Sequence, residues 1–287
     1  MPAEVTDKTK RIASKLEHLG IDRGQTLTLR VWDGADRSAE RGERKTFVFL
    51  NGLESHGLWA SDLASGLSER GHRFVALDRR GSGANRSLVG TADDWIADVL
   101  RVCQTERGAD SGRAVCLIGQ CFGARSAISA AIRCPHFVER LILLSPGLEM
   151  RVDLSVGQKM LVGIGHVLRL PIRIRSPIPD DRYLTSDTQW LPVIGSDPLR
   201  LRQVVADDFY AGHVLLRTIR QHSESVPLPC LALFAANDRI VNLPKTKKLL
   251  QRLFGDHLTV REFDEADHLL LFGRAGKQAL DAILEIA

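Results

Sequence analysis

The chain has 287 residues, enough to bury a sizeable core as one large α/β domain or as one domain with an insertion. It is 44% hydrophobic and 26% charged with a net charge of +4, and no basic run interleaves with aromatics, which argues against nucleic-acid binding. No apolar run is long enough to span a bilayer or to form a signal-peptide core, and the five cysteines (Cys103, Cys116, Cys121, Cys134 and Cys230) are odd in number, scattered and without metal-site spacing, so no metal and a reducing cytoplasm are expected.

Residues 1–20 are polar, and Ile12, Leu16 and Leu19 predict a helix there. Residues 27–32 alternate as an antiparallel strand does, and the polar stretch 33–45 predicts an exposed hairpin. Thr46–Leu50 is a near-continuous apolar strand, as in a buried parallel sheet, and it ends in Asn51-Gly52-Leu53-Glu54-Ser55-His56. An amphipathic helix over 58–70 puts Trp59, Leu63 and Leu67 on one face and stops at Gly71. The strand 73–78 closes in the turn Arg79-Arg80-Gly81-Ser82-Gly83, and 91–107 is a helix with Asp93 and Asp94 in its first turn.

The next stretch organises the rest. Val115-Cys116-Leu117-Ile118 is a short buried strand that runs into Gly119-Gln120-Cys121-Phe122-Gly123 and then into a helix from Ala124 to about Arg133. Strand, sharp turn and helix, with one sulfur at the apex, is the pattern of a nucleophile elbow. The apex is strained, and its neighbours two residues away on each side must be nearly free of side chain, as Gly119 and Gly123 are. The helix start would offer its dipole and free amides to negative charge at Cys121.

A further strand follows at 138–145, and the strand–helix alternation implies a parallel sheet covered on both faces. It then stops. Residues 147–229 show no strand signal, only helical stretches near 154–170 and 198–222 around an irregular, Pro-rich piece at 171–192. This insertion is expected to be a lid that divides the core into 1–146 and 230–287. Its Met160, Leu161, Ile164, Val167 and Leu168 suit either an acyl site or helix packing; its Arg151, Arg169, Arg173, Arg175 and Arg182 suit either solvated surface or a phosphate or acidic carrier. Alternation resumes with a strand at 230–236, a helix over Leu243–Phe254, a strand over Leu258–Phe263 and a closing helix near 270–286.

A cysteine nucleophile needs a base and a group that orients the base. Asp238 follows the strand at 230–236 and His268 follows Leu258–Phe263, so both should reach the sheet edge that carries Cys121. Asp264, Glu265 and Asp267 are competing carboxylates near His268. The oxyanion donors expected are the amides of Phe122 and Leu53. Asn51, Glu54 and His56 could shape the loop or touch substrate.

These segments together resemble an α/β-hydrolase of the monoacylglycerol-lipase-like, serine-aminopeptidase-S33 type. Residues 51–56 are similar to that group's His-Gly-x-x-Glu-His loop, residues 77–83 to its Asp-x-Arg-Gly-x-Gly turn, and the order nucleophile, acid, histidine is that of the superfamily. The resemblance covers about residues 27–287, weakest in the insertion. It implies a mostly parallel sheet of about eight strands with helices on both faces and a helical lid. It also implies an esterase, lipase or related acyl hydrolase that needs no cofactor. Asn51 replaces the group's usual His, which should matter little to the reaction; Cys121 replaces its usual Ser, which should matter a great deal. Gly-x-Cys-x-Gly elbows also occur in dienelactone hydrolases, polyhydroxyalkanoate synthases and some thioesterase domains. The expected substrate is a small acyl compound, free or carried on CoA or a carrier protein. Water is the default acceptor. Transfer or cyclisation onto an alcohol, amine or thiol is the alternative, and a catalytically silent binding protein of the same fold is the second.

Overall fold

In the computed structural model, which describes residues 14–34, 44–108 and 115–286, the chain opens with the antiparallel pair β1 (Lys15–Gly20) and β2 (Thr26–Trp32). Then come β3 (Thr46–Leu50), α1 (Ser61–Ser68), β4 (Arg73–Leu77), α2 (Ala92–Arg107), β5 (Val115–Gln120), α3 (Gly123–Arg133) and β6 (Arg140–Leu144). Residues 147–229 carry α4 (Val156–Leu168), β7 (Arg173–Arg175), α5 (Trp190–Ser196), β8 (Gln203–Val205) and α6 (Ala206–Gln221). β9 (Cys230–Ala235), α7 (Leu243–Phe254), β10 (Leu258–Phe263) and α8 (Gly273–Leu284) complete the core.

Eight strands form one sheet in the order β1-β2-β4-β3-β5-β6-β9-β10, and every pairing is parallel except the two that β2 makes. The path from β3 to β4 moves one way across the sheet, and the path from β4 to β5 moves back past β3. Right-handed crossovers therefore put α1 and α2 on opposite faces. α1 packs with α8, and α2 packs with α3. Sandwiched between these layers, β3, β5 and β9 are buried along their whole lengths, which is why their sequences are apolar without alternation. Phe47, Phe49, Phe74 and Phe234 are among the largest side chains fully buried there. The order reverses between β3 and β5, so the loops leaving their carboxyl ends open the sheet's natural crevice.

The structure departs from the sequence reading at the amino end and in the insert. Leu16 and Leu19 lie on strand β1, paired with Arg30 and Leu27, and not on a helix. An exposed edge partner for β2 outweighs local propensity here; Leu16 stays 50% exposed. Ile12 lies outside the described residues, as does most of the polar stretch 33–45. The insert, read as free of strands, contains β7 and β8 as an antiparallel pair of three residues each, too short to give a periodic signal. α5 begins at the end of the stretch read as irregular and runs past it to Ser196, and α6 starts at Ala206, not near 198. Met160, Leu161, Ile164, Val167 and Leu168 on α4 are all exposed, Val167 to 76%, while α4 itself lies against α6. The five insert arginines are exposed as well. Among the described residues no helix is long and apolar enough to cross a membrane.

Candidate active site

At the end of β5 the backbone turns through Cys121, whose φ of 47° lies in the left-handed region that L side chains rarely adopt. Packing enforces this turn. A Cβ on Gly119 would stand 2.7 Å from Ala124 Cα, and one on Gly123 would stand 2.2 Å from the Leu50 carbonyl oxygen. Any larger residue at either position would push helix and strand apart. The Cys121 amide donates to the Leu144 carbonyl on β6, and its own carbonyl accepts from Ala124 and Gly147. The sulfur is thereby held at the amino end of α3, 6% exposed.

Asp238 and His268 come to the same edge from the loops after β9 and β10. His268 Nδ1 lies 2.8 Å from Asp238 Oδ2. The other carboxylate oxygen, Oδ1, accepts from the amides of Ile240 at 2.8 Å and Val241 at 2.9 Å. Burial would push the Asp238 carboxyl up, but His268 and these two amides outweigh it and hold it below the ordinary carboxylate value. Burial likewise disfavours a charged His268, yet the Asp238 carboxylate and the Cys121 sulfur lift the ring well above the ordinary imidazole value. The imidazole hydrogen-bonds Asp238, and the Cys121 sulfur lies near enough to act on its charge. With Nδ1 engaged by the carboxylate, Nε2 is the nitrogen left for the sulfur. Two of the three competing carboxylates turn elsewhere: Asp267 accepts from Ser186, and Glu265 pairs with Arg274.

The Leu53 and Phe122 amides flank the elbow, and among the described residues neither donates to a protein acceptor. Asn51, Glu54 and His56 are the loop residues read from sequence as shaping the loop or touching substrate. All three are buried and committed to protein partners. Glu54 pairs with Arg200, which donates through Nε at 2.7 Å. His56 Nε2 lies 2.7 Å from Asp197 Oδ2, which Trp59 also donates to. Among the described residues the Asn51 side chain bonds to the loop around it and to the turn after β4.

Several residues around the site escaped the sequence reading. Arg79 donates to the Leu53 carbonyl at 2.8 Å and to Asp208 on α6 at 2.9 Å. Arg125 donates to the carbonyls of Gly147 and Gly212 and stacks its guanidinium over Phe122. Burial lowers it to about 10. Gln120 accepts from Ser55 Oγ at 3.1 Å and from the Gly52 amide at 3.3 Å. Arg79 and Gln120 sat inside motifs already singled out. Asp197, Arg200 and Asp208 had no such signal, because their partners lie 141, 146 and 129 residues away in the chain. Among the described residues no group of His, Cys, Asp and Glu side chains could hold a metal ion.

Comparison with known proteins gives the same picture of the fold. A family model described as Serine aminopeptidase, S33, matches residues 41–274. A curated sn-1-specific diacylglycerol lipase of Danio rerio is 31% identical over 144 residues, which is 47% of this chain and 42% of that protein. The chain thus spans less than half the length of that relative. The monoglyceride lipase of Saccharomyces cerevisiae, solved as a soluble variant with a substrate analogue, superposes with a TM-score of 0.82 over 99% of this chain and 98% of that one, at 15% identity. A monoacylglycerol lipase of Paleococcus ferrophilus gives 0.77 over 91% and 97%, at 18% identity. A carboxyl esterase of Bacillus coagulans gives 0.76 over 96% and 97%, at 13% identity. At such identities the structural likeness speaks for the fold, an α/β-hydrolase fold.

Proposed function

Because the chain belongs to the serine aminopeptidase S33 family and is an α/β-hydrolase of the lipase and esterase type, we propose that it is an acyl hydrolase whose nucleophile is Cys121. His268 takes the thiol proton as the sulfur attacks the acyl carbon of an ester, thioester or lactone. The tetrahedral oxyanion lies between the amides of Leu53 and Phe122. As it collapses, the bond to the leaving group breaks, His268 returns the proton to that group, and a thioester on Cys121 remains. Water, deprotonated by the same imidazole, then releases the acid. Asp238 keeps the ring in the tautomer that leaves Nε2 free to accept. Residues 147–229 act as the lid.

The observation that carries this reading is the left-handed Cys121 at the end of β5, facing an imidazole that is itself bonded to a buried carboxylate. The relatives' names make acylglycerols the first esters to assay. A second reading has its own support: Cys121 is 6% exposed and His268 2%, so the intermediate is shielded from bulk water and an alcohol, amine or thiol could receive the acyl group.

Limiting iodoacetamide, peptide mapping and assay of a monoacylglycerol, an aryl ester and an acyl thioester test the reading. Cys121 should label first, and turnover should fall in step with it. Burial pushes the thiols of Cys103 and Cys116 up to about 12 and that of Cys230 up as well, so these should stay unlabelled in the folded protein. Turnover that survives complete alkylation of Cys121 would overturn the assignment.

A further inference from the structure

An oxyanion donor works only if its N–H is aimed before the substrate arrives. The Leu53 N–H belongs to the Gly52–Leu53 peptide, and the residue that orients this peptide is Asn51. Asn51 is 1% exposed. Its Nδ2 donates to the Gly52 carbonyl at 3.0 Å, to the Ser55 carbonyl at 2.6 Å and to Ser82 Oγ at 3.2 Å. Its Oδ1 accepts from the Arg79 amide at 3.1 Å. Carbonyls can only accept and an amide N–H can only donate, so these neighbours leave the carboxamide one orientation.

The consequence follows from peptide geometry. In a trans peptide the C=O and N–H point in opposite directions. Asn51 draws the Gly52 carbonyl to itself, and the Leu53 N–H is turned the other way. The preceding peptide is tied to the elbow: the Gly52 N–H donates to Ser55 Oγ at 2.8 Å and to Gln120 Oε1 at 3.3 Å, and Gln120 adjoins Cys121. The loop lies so close that a Cβ on Gly52 would stand 3.6 Å from Cys121 Cβ. Arg79 fixes the far side through the Leu53 carbonyl.

We propose that Asn51 is a positioning residue for acyl transfer: its carboxamide sets the Gly52–Leu53 peptide so that the Leu53 N–H faces the acyl oxygen at Cys121. This rests on the acyl-Cys121 reading above. It keeps the expectation that asparagine in place of histidine costs the reaction little, because either side chain has an N–H for the Gly52 carbonyl. A neutral imidazole has one N–H donor, whereas this carboxamide has two, set among three acceptor oxygens, and an oxygen that accepts from Arg79.

Two reactions of the same sulfur separate a positioning role from a merely structural one. Acylation by an acyl thioester builds an oxyanion. Alkylation by iodoacetamide displaces iodide from a saturated carbon and builds none. In Asn51→Ala, acylation of Cys121 measured by rapid quench and mass spectrometry should slow by about 10- to 100-fold, while alkylation stays within about two-fold of wild type. Asn51→His, which keeps one donor for the Gly52 carbonyl, should recover most of the acylation rate. If the two rates fall together, or neither falls, the proposal is wrong. Should Asn51→Ala fail to fold, Asn51→Asp, which keeps an acceptor for the Arg79 amide and loses the donors to the Gly52 and Ser55 carbonyls, decides in the same way. A wild-type protein that alkylates but never acylates at Cys121 removes the acyl-Cys121 reading, and this proposal with it, before any variant is compared.

Discussion

Asp238→Asn should lower kcat by about four orders of magnitude while the protein stays folded. The size of the effect comes from a proton placed on the wrong nitrogen. The Ile240 and Val241 amides donate to Oδ1 of Asp238 and can only donate. In the variant they would keep the carboxamide oxygen on their side, leaving the NH₂ to face His268 Nδ1. That nitrogen must then accept, the ring proton moves to Nε2, and the nitrogen facing Cys121 can no longer take the thiol proton. The fold survives because both amides keep their acceptor. His268→Ala removes the base itself and should be as inactive. Steady-state kinetics beside a thermal melt checks both variants. An active Asp238→Asn together with inactive Asp264 or Asp267 variants would mean that another carboxylate orients the histidine.

Donor choice should depend on the sulfur. Wild type should prefer an acyl thioester over the matched ethyl ester by more than their intrinsic reactivities differ, and Cys121→Ser should shift that ratio toward the ester. With serine the covalent intermediate is an oxygen ester, close in energy to an ester substrate. With Cys121 it is a thioester and lies higher. Reaching it from an alkyl ester is uphill, and the alkoxide leaves poorly. Reaching it from a thioester exchanges like for like, and a thiolate leaves readily because its conjugate acid is stronger than an alcohol. Binding energy from the insert could offset part of this for a well-fitted ester, so the test compares kcat/KM for one acyl chain on both leaving groups. A shift of at least about tenfold, or about 1.4 kcal/mol in relative barrier, is expected on going to serine. An unchanged ratio would locate donor choice in the insert alone.

The core strands and the three residues at their ends were legible in the sequence because each depends on local signals. β5 is an apolar run that breaks at a glycine pair around one cysteine. β9 and β10 end in short polar loops that hold Asp238 and His268. The same locality explains where reading failed. β1 is a strand only because β2 pairs with it, and nothing within Lys15–Gly20 announces that pairing. β7 and β8 are three residues each, shorter than any periodicity. The ion pairs that Glu54 and His56 make were not visible because their partners, Arg200 and Asp197, lie in a segment with no strand pattern of its own. A buried ion pair across such a distance is a property of the folded chain and leaves no mark at either end.

Catalysis through Cys121 requires a covalent acyl group at that one sulfur. The most direct measurement is the intact and peptide mass of the protein quenched in acid within milliseconds of mixing with a short-chain acyl thioester. Wild type should gain one acyl mass, on the peptide that contains Cys121, and Cys121→Ala should gain none. Asp238→Asn should gain it slowly. An acyl mass on another residue, or steady turnover in Cys121→Ala, would contradict the account.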